Sequence, residues 1–273
     1  MRVGRRLLLA APALLVARTA AALELDGTLT QGALVVGRGV PGARAALNGR
    51  ALRVSPEGAF AFGFGRDAPG SATLELKPRQ APPETHLLHV AARQYEEQRI
   101  SGLPPAQVTP PPETMERIRR EQAMLNAARA HDTPGANFAG GFIWPASGRI
   151  SGVYGSRRIL NGEPRAPHLG LDIAAPTGTP VAAAAGGIVR LAQPDFYFTG
   201  GSIVLDHGHT VMTFYIHLSR LLVRDGQEVG QGESIGLVGA TGRVTGPHLH
   251  LGLFWAGTAL DAALVLPGRG QPP

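Results

Sequence analysis

The 273-residue chain contains no cysteine. A disulfide framework is excluded, and so is any thiolate metal site; a metal here must be held by histidine and carboxylate. Lysine is nearly absent too. Lys77 stands alone, and the formal net charge of +6 comes from arginine. The stretch "GQEVGQGESIGLVG" has the turn character of a lipoyl or biotinyl carrier, but such modules need a modifiable lysine at a hairpin tip, and none lies there. Aromatics make up only 5% of residues, and no basic run is interleaved with them, so nothing points to nucleic acid. A basic surface suits an anionic partner: nucleic acid, acidic lipid or an anionic cell-wall polymer. Beyond the first residues no apolar segment is long enough to cross a membrane.

What the chain has in abundance is glycine, 37 residues, and proline, 23. Together with short apolar stretches they predict many short strands and turns, a mostly β protein. "MRVGRR" followed by "LLLAAPALLVA" and "TAAALELDG" reads as an export signal over 1–22, cleaved after Ala22. Residues 23–103 read as a small N-terminal β-sandwich. Asn48-Gly49 marks a hairpin, and Phe60, Phe62 and Phe64 share one strand face. His86 and His89 lack a third ligand nearby and read as ordinary strand residues. Residues 104–135 form a connection: a stiff Pro-rich linker in "GLPPAQVTPPPE", then a helix over 112–132 with Met115, Ile118, Met124 and Leu125 on its apolar stripe. Residues 136–268 return to short strands and turns.

Six of the nine histidines lie between positions 168 and 250. In "HLGLD" the prolines on either side and Gly170 argue against a helix. On a straight strand His168 and Asp172 would be ~13 Å apart, so they can share a metal only if the chain bends, and Gly170 is where a bend is tolerated. In "HLH", His248 and His250 fall on one strand face, ~6.6 Å apart at Cα, while Leu249, Leu251 and Leu253 fall on the other. One of the pair can bind a metal while the other stands beside a water. His217, in "YIHL", adds a third imidazole suited to a general base or oxyanion stabiliser. His207 and His209, in "DHGHT", are explained by turn chemistry. No His-Glu-x-x-His motif is present.

The succession "HLGLDIAAPTGTPV", "LDHGHT…YIHLSRL" and "GQEVGQGESIGLVGATGRVTGPHLHLGL" resembles the lysostaphin-type, or LytM-domain, zinc metallopeptidases across roughly residues 140–266. "FIWPASGRISGVYGSRRILNGEPRAPH" and "PDFYFTGG" resemble proteobacterial members that carry an N-terminal β domain. The resemblance implies a C-terminal two-sheet antiparallel β domain over 136–268 and one zinc per chain, held by His168, Asp172 and His250. His217 and His248 would be catalytic, with Tyr154 placed to stabilise an oxyanion. It implies an exported, periplasmic zinc endopeptidase of the Gram-negative envelope, acting on peptidoglycan stem and cross-link peptides, with no transmembrane segment once the signal is removed and any protein partner unidentified. The alternative is a non-catalytic LytM-like regulator that activates a cell-wall amidase. Asn161, in the loop before the first ligand, is a further residue that could approach the metal in a latent form.

Overall fold

The computed structural model describes residues 23–269 apart from residue 80. The expected export signal, residues 1–22, lies outside the described residues.

The chain begins with two small antiparallel sheets. One joins Glu24–Asp26, Leu34–Arg38 and Phe60–Gly63; the other orders Arg50–Leu52, Arg44–Leu47, Ser71–Lys77 and Glu84–His89. Asn48 and Gly49 both adopt positive φ, 48° and 78°, as a two-residue hairpin demands. Alternation works as expected: Ala72, Leu74 and Leu76 point inward, and Phe60, Phe62 and Phe64 form a buried ladder with ring centroids 6.2 and 5.7 Å apart. His86 lies on an exposed strand and pairs only with Glu84, at 3.0 Å. These sheets do not close a core of their own. A continuous cluster of buried side chains runs from Leu34, Phe60 and Leu74 to Leu171, Ile203 and Leu249.

Residues 97–108 pack along the strands at 157–165. Strand Glu97–Ile100 pairs in parallel with Arg157–Leu160, which pairs antiparallel with Glu163–Arg165. Pro105–Val108 makes one helical turn, and Leu103 and Val108 pack on Leu160. Pro105 suits such a turn because the first helical position needs no amide donor. The long helix spans Met115–Arg129. It buries Glu121, Leu125 and Ala128, whereas Met124 is 38% exposed and Met115 and Ile118 are half-buried. The expected stripe is therefore rotated. Glu121 is inside because its carboxylate accepts from Arg117 Nε (2.6 Å) and the Tyr197 amide (2.7 Å). Leu125 and Ala128 join Val204, Met212 and Phe254 in a second apolar cluster on the main sheet.

The main sheet runs, in spatial order, Glu228–Val229, Gly187–Phe196, Gly200–Asp206, Val211–Leu221, His248–Trp255, Leu171–Ala174 and Arg149–Gly152. Ser234–Val238 links Pro180–Ala182 to the strand Val211–Leu221. All these pairings are antiparallel. Three adjacent strands, 211–221, 248–255 and 171–174, hold His217, His248, His250 and Asp172.

Candidate metal centre

Strand register brings the donors together. Asp172 lies directly opposite His250, and His248 lies opposite Ala174, two positions along the same face. His168 precedes the strand in an irregular segment whose chain bends at Gly170. Its amide donates to the Ser156 carbonyl (2.9 Å) and its carbonyl accepts from the Gly155 amide (2.7 Å), so the backbone of residues 155–156 fixes the bend. Gly170 is required there, because a Cβ would strike the His250 ring. Gly152 has the same role across the sheet, where a Cβ would meet the Asp172 carboxylate and lie 3.1 Å from His168 Cε1.

His168 Nε2, Asp172 Oδ1 and His250 Nδ1 form a triangle with edges of 3.0, 2.8 and 3.0 Å. All three residues are buried or half-buried. Donors on a tetrahedral zinc at about 2.0–2.1 Å stand roughly 3.3 Å from one another, so a slight expansion of this triangle accommodates the ion. The protonation pattern supports the same fit. His168 Nδ1 donates to the Val153 carbonyl at 3.1 Å. In a neutral ring the Nε2 lone pair then faces a carboxylate oxygen and a second imidazole, an arrangement that a metal cation would complete. Burial pushes the Asp172 carboxyl up, but the His168 and His250 nitrogens outweigh it and hold it well below the usual carboxylate range. Burial also pushes the His250 imidazole down to about 4, against the pull of Asp172. The other Asp172 oxygen accepts from Arg158 Nη2 at 3.2 Å, which leaves Oδ1 for the triangle.

Two more imidazoles flank it. The His217 ring centroid is 4.8 Å from that of His248 and 6.2 Å from that of His250. His217 has φ = 65°, uncommon for a residue with a side chain. It is held there by its amide, which donates to the Thr199 carbonyl (2.8 Å), and by ring Nδ1, which donates to the Thr241 carbonyl (2.8 Å). The register slips between Gly201 and Ile203 on the neighbouring strand, a bulge that aims the ring into the cleft. Burial, then the nearby His248 and His250, push the His217 imidazole down to about 3. His248 Nδ1 donates to the Gly246 carbonyl (2.9 Å), and its Nε2 lies 3.8 Å from Asp172 Oδ1. Both rings thus present Nε2 to the cleft.

The structure brings together five of the six residues singled out. Tyr154 is the exception. It is buried, its ring packs edge-on against Tyr95 (6.2 Å), and its hydroxyl donates to the Ala259 carbonyl (2.8 Å). It is not among the side chains lining the two cavities at the histidines. Asn161 also lies elsewhere: its amide clasps the Leu103 backbone, donating to the carbonyl (2.7 Å) and accepting from the N–H (3.2 Å). His207 and His209 are buried around the hairpin entering strand 211–221, the former bonded to the Gly186 carbonyl and the Thr213 hydroxyl. Arg158 and Gln98 are among the cleft residues not singled out from sequence. Arg158 anchors the aspartate, and Gln98, on strand Glu97–Ile100, joins Ile100 and Leu103 in walling a cavity of about 160 Å³ at the histidines. A ligand carboxylate needs its spare oxygen anchored, which is the signal that points to an arginine in "SRR"; nothing in "EQRI" points to Gln98.

Known proteins resemble this chain. Residues 166–262 match the Peptidase family M23 model. Over 115 residues the chain is 47% identical to peptidoglycan DD-endopeptidase ShyA of Vibrio cholerae, covering 42% of this chain and 26% of ShyA. Over 132 residues it is 39% identical to the lipoprotein NlpD/LppB homolog of Pseudomonas aeruginosa, covering 48% of this chain and 41% of that protein. The matches thus span only about a quarter of ShyA and two-fifths of the NlpD/LppB homolog. The crystal structure of an M23-type protein from Pseudomonas aeruginosa superposes with a TM-score of 0.66 at 28% identity, covering 87% of this chain and 95% of that one. Over residues 166–262 the chain is thus similar to Peptidase family M23.

Proposed function

We propose that this chain is an exported zinc-dependent endopeptidase that hydrolyses peptide cross-links of peptidoglycan in the Gram-negative periplasm. One observation carries the reading: a three-donor triangle and two imidazole Nε2 atoms open into the same cleft. Zinc held by His168, Asp172 and His250 would supply Lewis acidity toward the scissile carbonyl and toward water. His217, neutral through burial, offers an unprotonated Nε2 that accepts a proton from the attacking water. His248 stands beside it with Nδ1 committed to Gly246, so its Nε2 shares in passing that proton to the leaving amine. The Thr241 and Gly246 carbonyls fix both tautomers, so neither ring must reorient during the reaction. Arg158 holds Asp172 in place, and the 97–103 segment shields one flank from water.

Similarity to ShyA supports the cross-link as substrate. Among the described residues, no helix is long and apolar enough to cross a membrane. The test is to incubate the purified protein with Gram-negative sacculi and resolve the released muropeptides, with and without chelator and added zinc. Loss of cross-linked dimers, abolished by chelator and restored by zinc, is the expected result. Intact cross-links in the presence of bound zinc would overturn the enzymatic reading in favour of an amidase-activating regulator.

A further inference from the structure

The turn from Val153 to Ser156 holds His168 from three sides. The His168 amide donates to the Ser156 carbonyl (2.9 Å), and its carbonyl accepts from the Gly155 amide (2.7 Å). Its ring Nδ1 donates to the Val153 carbonyl (3.1 Å). One turn therefore sets the backbone, the tautomer and the ring orientation of this donor. Such a partner fixes a ligand only as well as it is itself fixed. The turn lies between strands Arg149–Gly152 and Arg157–Leu160, and Gly155 turns the chain at φ = 86°.

The groups that fix the turn come from the N-terminal part of the chain. Arg66, in the loop after strand Phe60–Gly63, donates from Nε to the Gly155 carbonyl at 2.8 Å. Gly155 thus bonds Arg66 through its carbonyl and His168 through its amide. The Arg66 side chain is 16% exposed, so water competes little for that bond. Its guanidinium lies over the Tyr95 ring at 4.5 Å, and the Tyr95 hydroxyl donates back to the Arg66 carbonyl at 3.3 Å. The same ring packs edge-on against Tyr154 and fills the space that a Cβ on Gly155 would need. Tyr154 in turn is tied to the Ala259 carbonyl by its hydroxyl.

We propose that Arg66 is a positioning residue for the metal centre. Through Gly155 it holds the 153–156 turn, and through that turn it sets His168, so the N-terminal part of the chain tunes how tightly the C-terminal part binds zinc. Tyr154 and Tyr95 are the packed rings that keep the two ends of this relay in register. The inference rests on the metal reading of the triangle, and not on which bond the protein cleaves. Arginine suits the task because its planar guanidinium can lie on an aromatic face while its Nε–H points along one edge.

The test measures zinc affinity by competition with a chelating dye, well below the melting temperature, and the melting temperature of the metal-free protein. Arg66→Met keeps a stem of similar length against Tyr95 and removes the donor. Zinc affinity is expected to fall about tenfold, the scale of lost support behind a metal ligand. Arg66→Gln carries an amide N–H where Nε–H stood, also without the charge, and should recover part of that loss. Arg53→Gln breaks the paired bonds to Asp132 (2.9 and 2.8 Å), another contact of the N-terminal sheets that involves none of residues 153–168. It should lower the melting temperature and leave zinc affinity unchanged. Should Arg66→Met fail to fold, Tyr95→Leu removes the ring that holds the guanidinium, and the same fall in affinity is expected. Native zinc affinity in the variant that folds, or an equal fall in Arg53→Gln, would overturn the positioning role and leave Arg66 as a docking contact. A native protein that binds no zinc overturns the metal centre and the inference with it.

Discussion

Gly170 and Gly152 show how little freedom the site leaves to single residues. Each lacks a side chain because the ligand rings and the Asp172 carboxylate occupy the space where a Cβ would go. Gly170→Ala is expected to leave the fold intact while displacing His250, lowering zinc affinity at least tenfold by competition with a chelating dye. The two flanking imidazoles should behave oppositely. His217→Asn keeps a residue that tolerates positive φ but removes the proton acceptor. Muropeptide release should fall by about a hundredfold or more with zinc content unchanged, and equal loss of metal would assign His217 to the wrong role. At this scale the sequence was most legible. "HLGLD" contained two corners of the donor triangle and the glycine that lets them converge, and "HLH" declared its face through the period of two. Tyr154 was not legible, because nothing in "VYGSR" reveals that the Ala259 carbonyl captures its hydroxyl.

Among the elements, the short strand Glu97–Ile100 was the least readable. Its sequence "EQRI" has no apolar alternation, and its partner lies some sixty residues away in parallel register. Pairing of that kind leaves no local trace. The helix was readable in extent, since its prolines, acids and arginines fall at the expected ends, but not in rotation. Its inward face is set by Glu121 answering Arg117 and Tyr197, a polar anchor that an apolar stripe cannot announce. Asn161 supplies the corresponding clasp for the connection. Asn161→Gly preserves the turn, at φ = 50°, but removes both side-chain bonds to Leu103. Hydrogen exchange at the Leu103 amide should accelerate by at least tenfold while exchange in strand 211–221 stays the same. Unchanged protection at Leu103 would show that the apolar contacts among Leu103, Val108 and Leu160 hold the segment unaided.

For the molecule as a whole, stability should follow pH through its buried imidazoles. His207 is fully enclosed, and burial pushes it down to about 4. The unfolded chain therefore binds more protons than the folded one between about pH 4 and 6.5. Stability is at its full value above that window and falls as pH drops through it, by on the order of 3 kcal/mol from this one group. Thermal melts of the metal-free protein at pH 7 and 4.5 should show the lower midpoint in acid, and His207→Gln should flatten the difference. Zinc should raise the midpoint at pH 7 and lose that effect on acidification, since its histidine ligands must be deprotonated to bind. The shared core and the borrowed wall have a consequence for modularity. The imidazoles and the carboxylate all come from residues 168–250, but one flank of their groove comes from residues 98–103. A fragment beginning after that strand would carry the reactive groups into a groove of different shape. Exchanging C-terminal halves between relatives would then transfer the chemistry without transferring the choice of substrate.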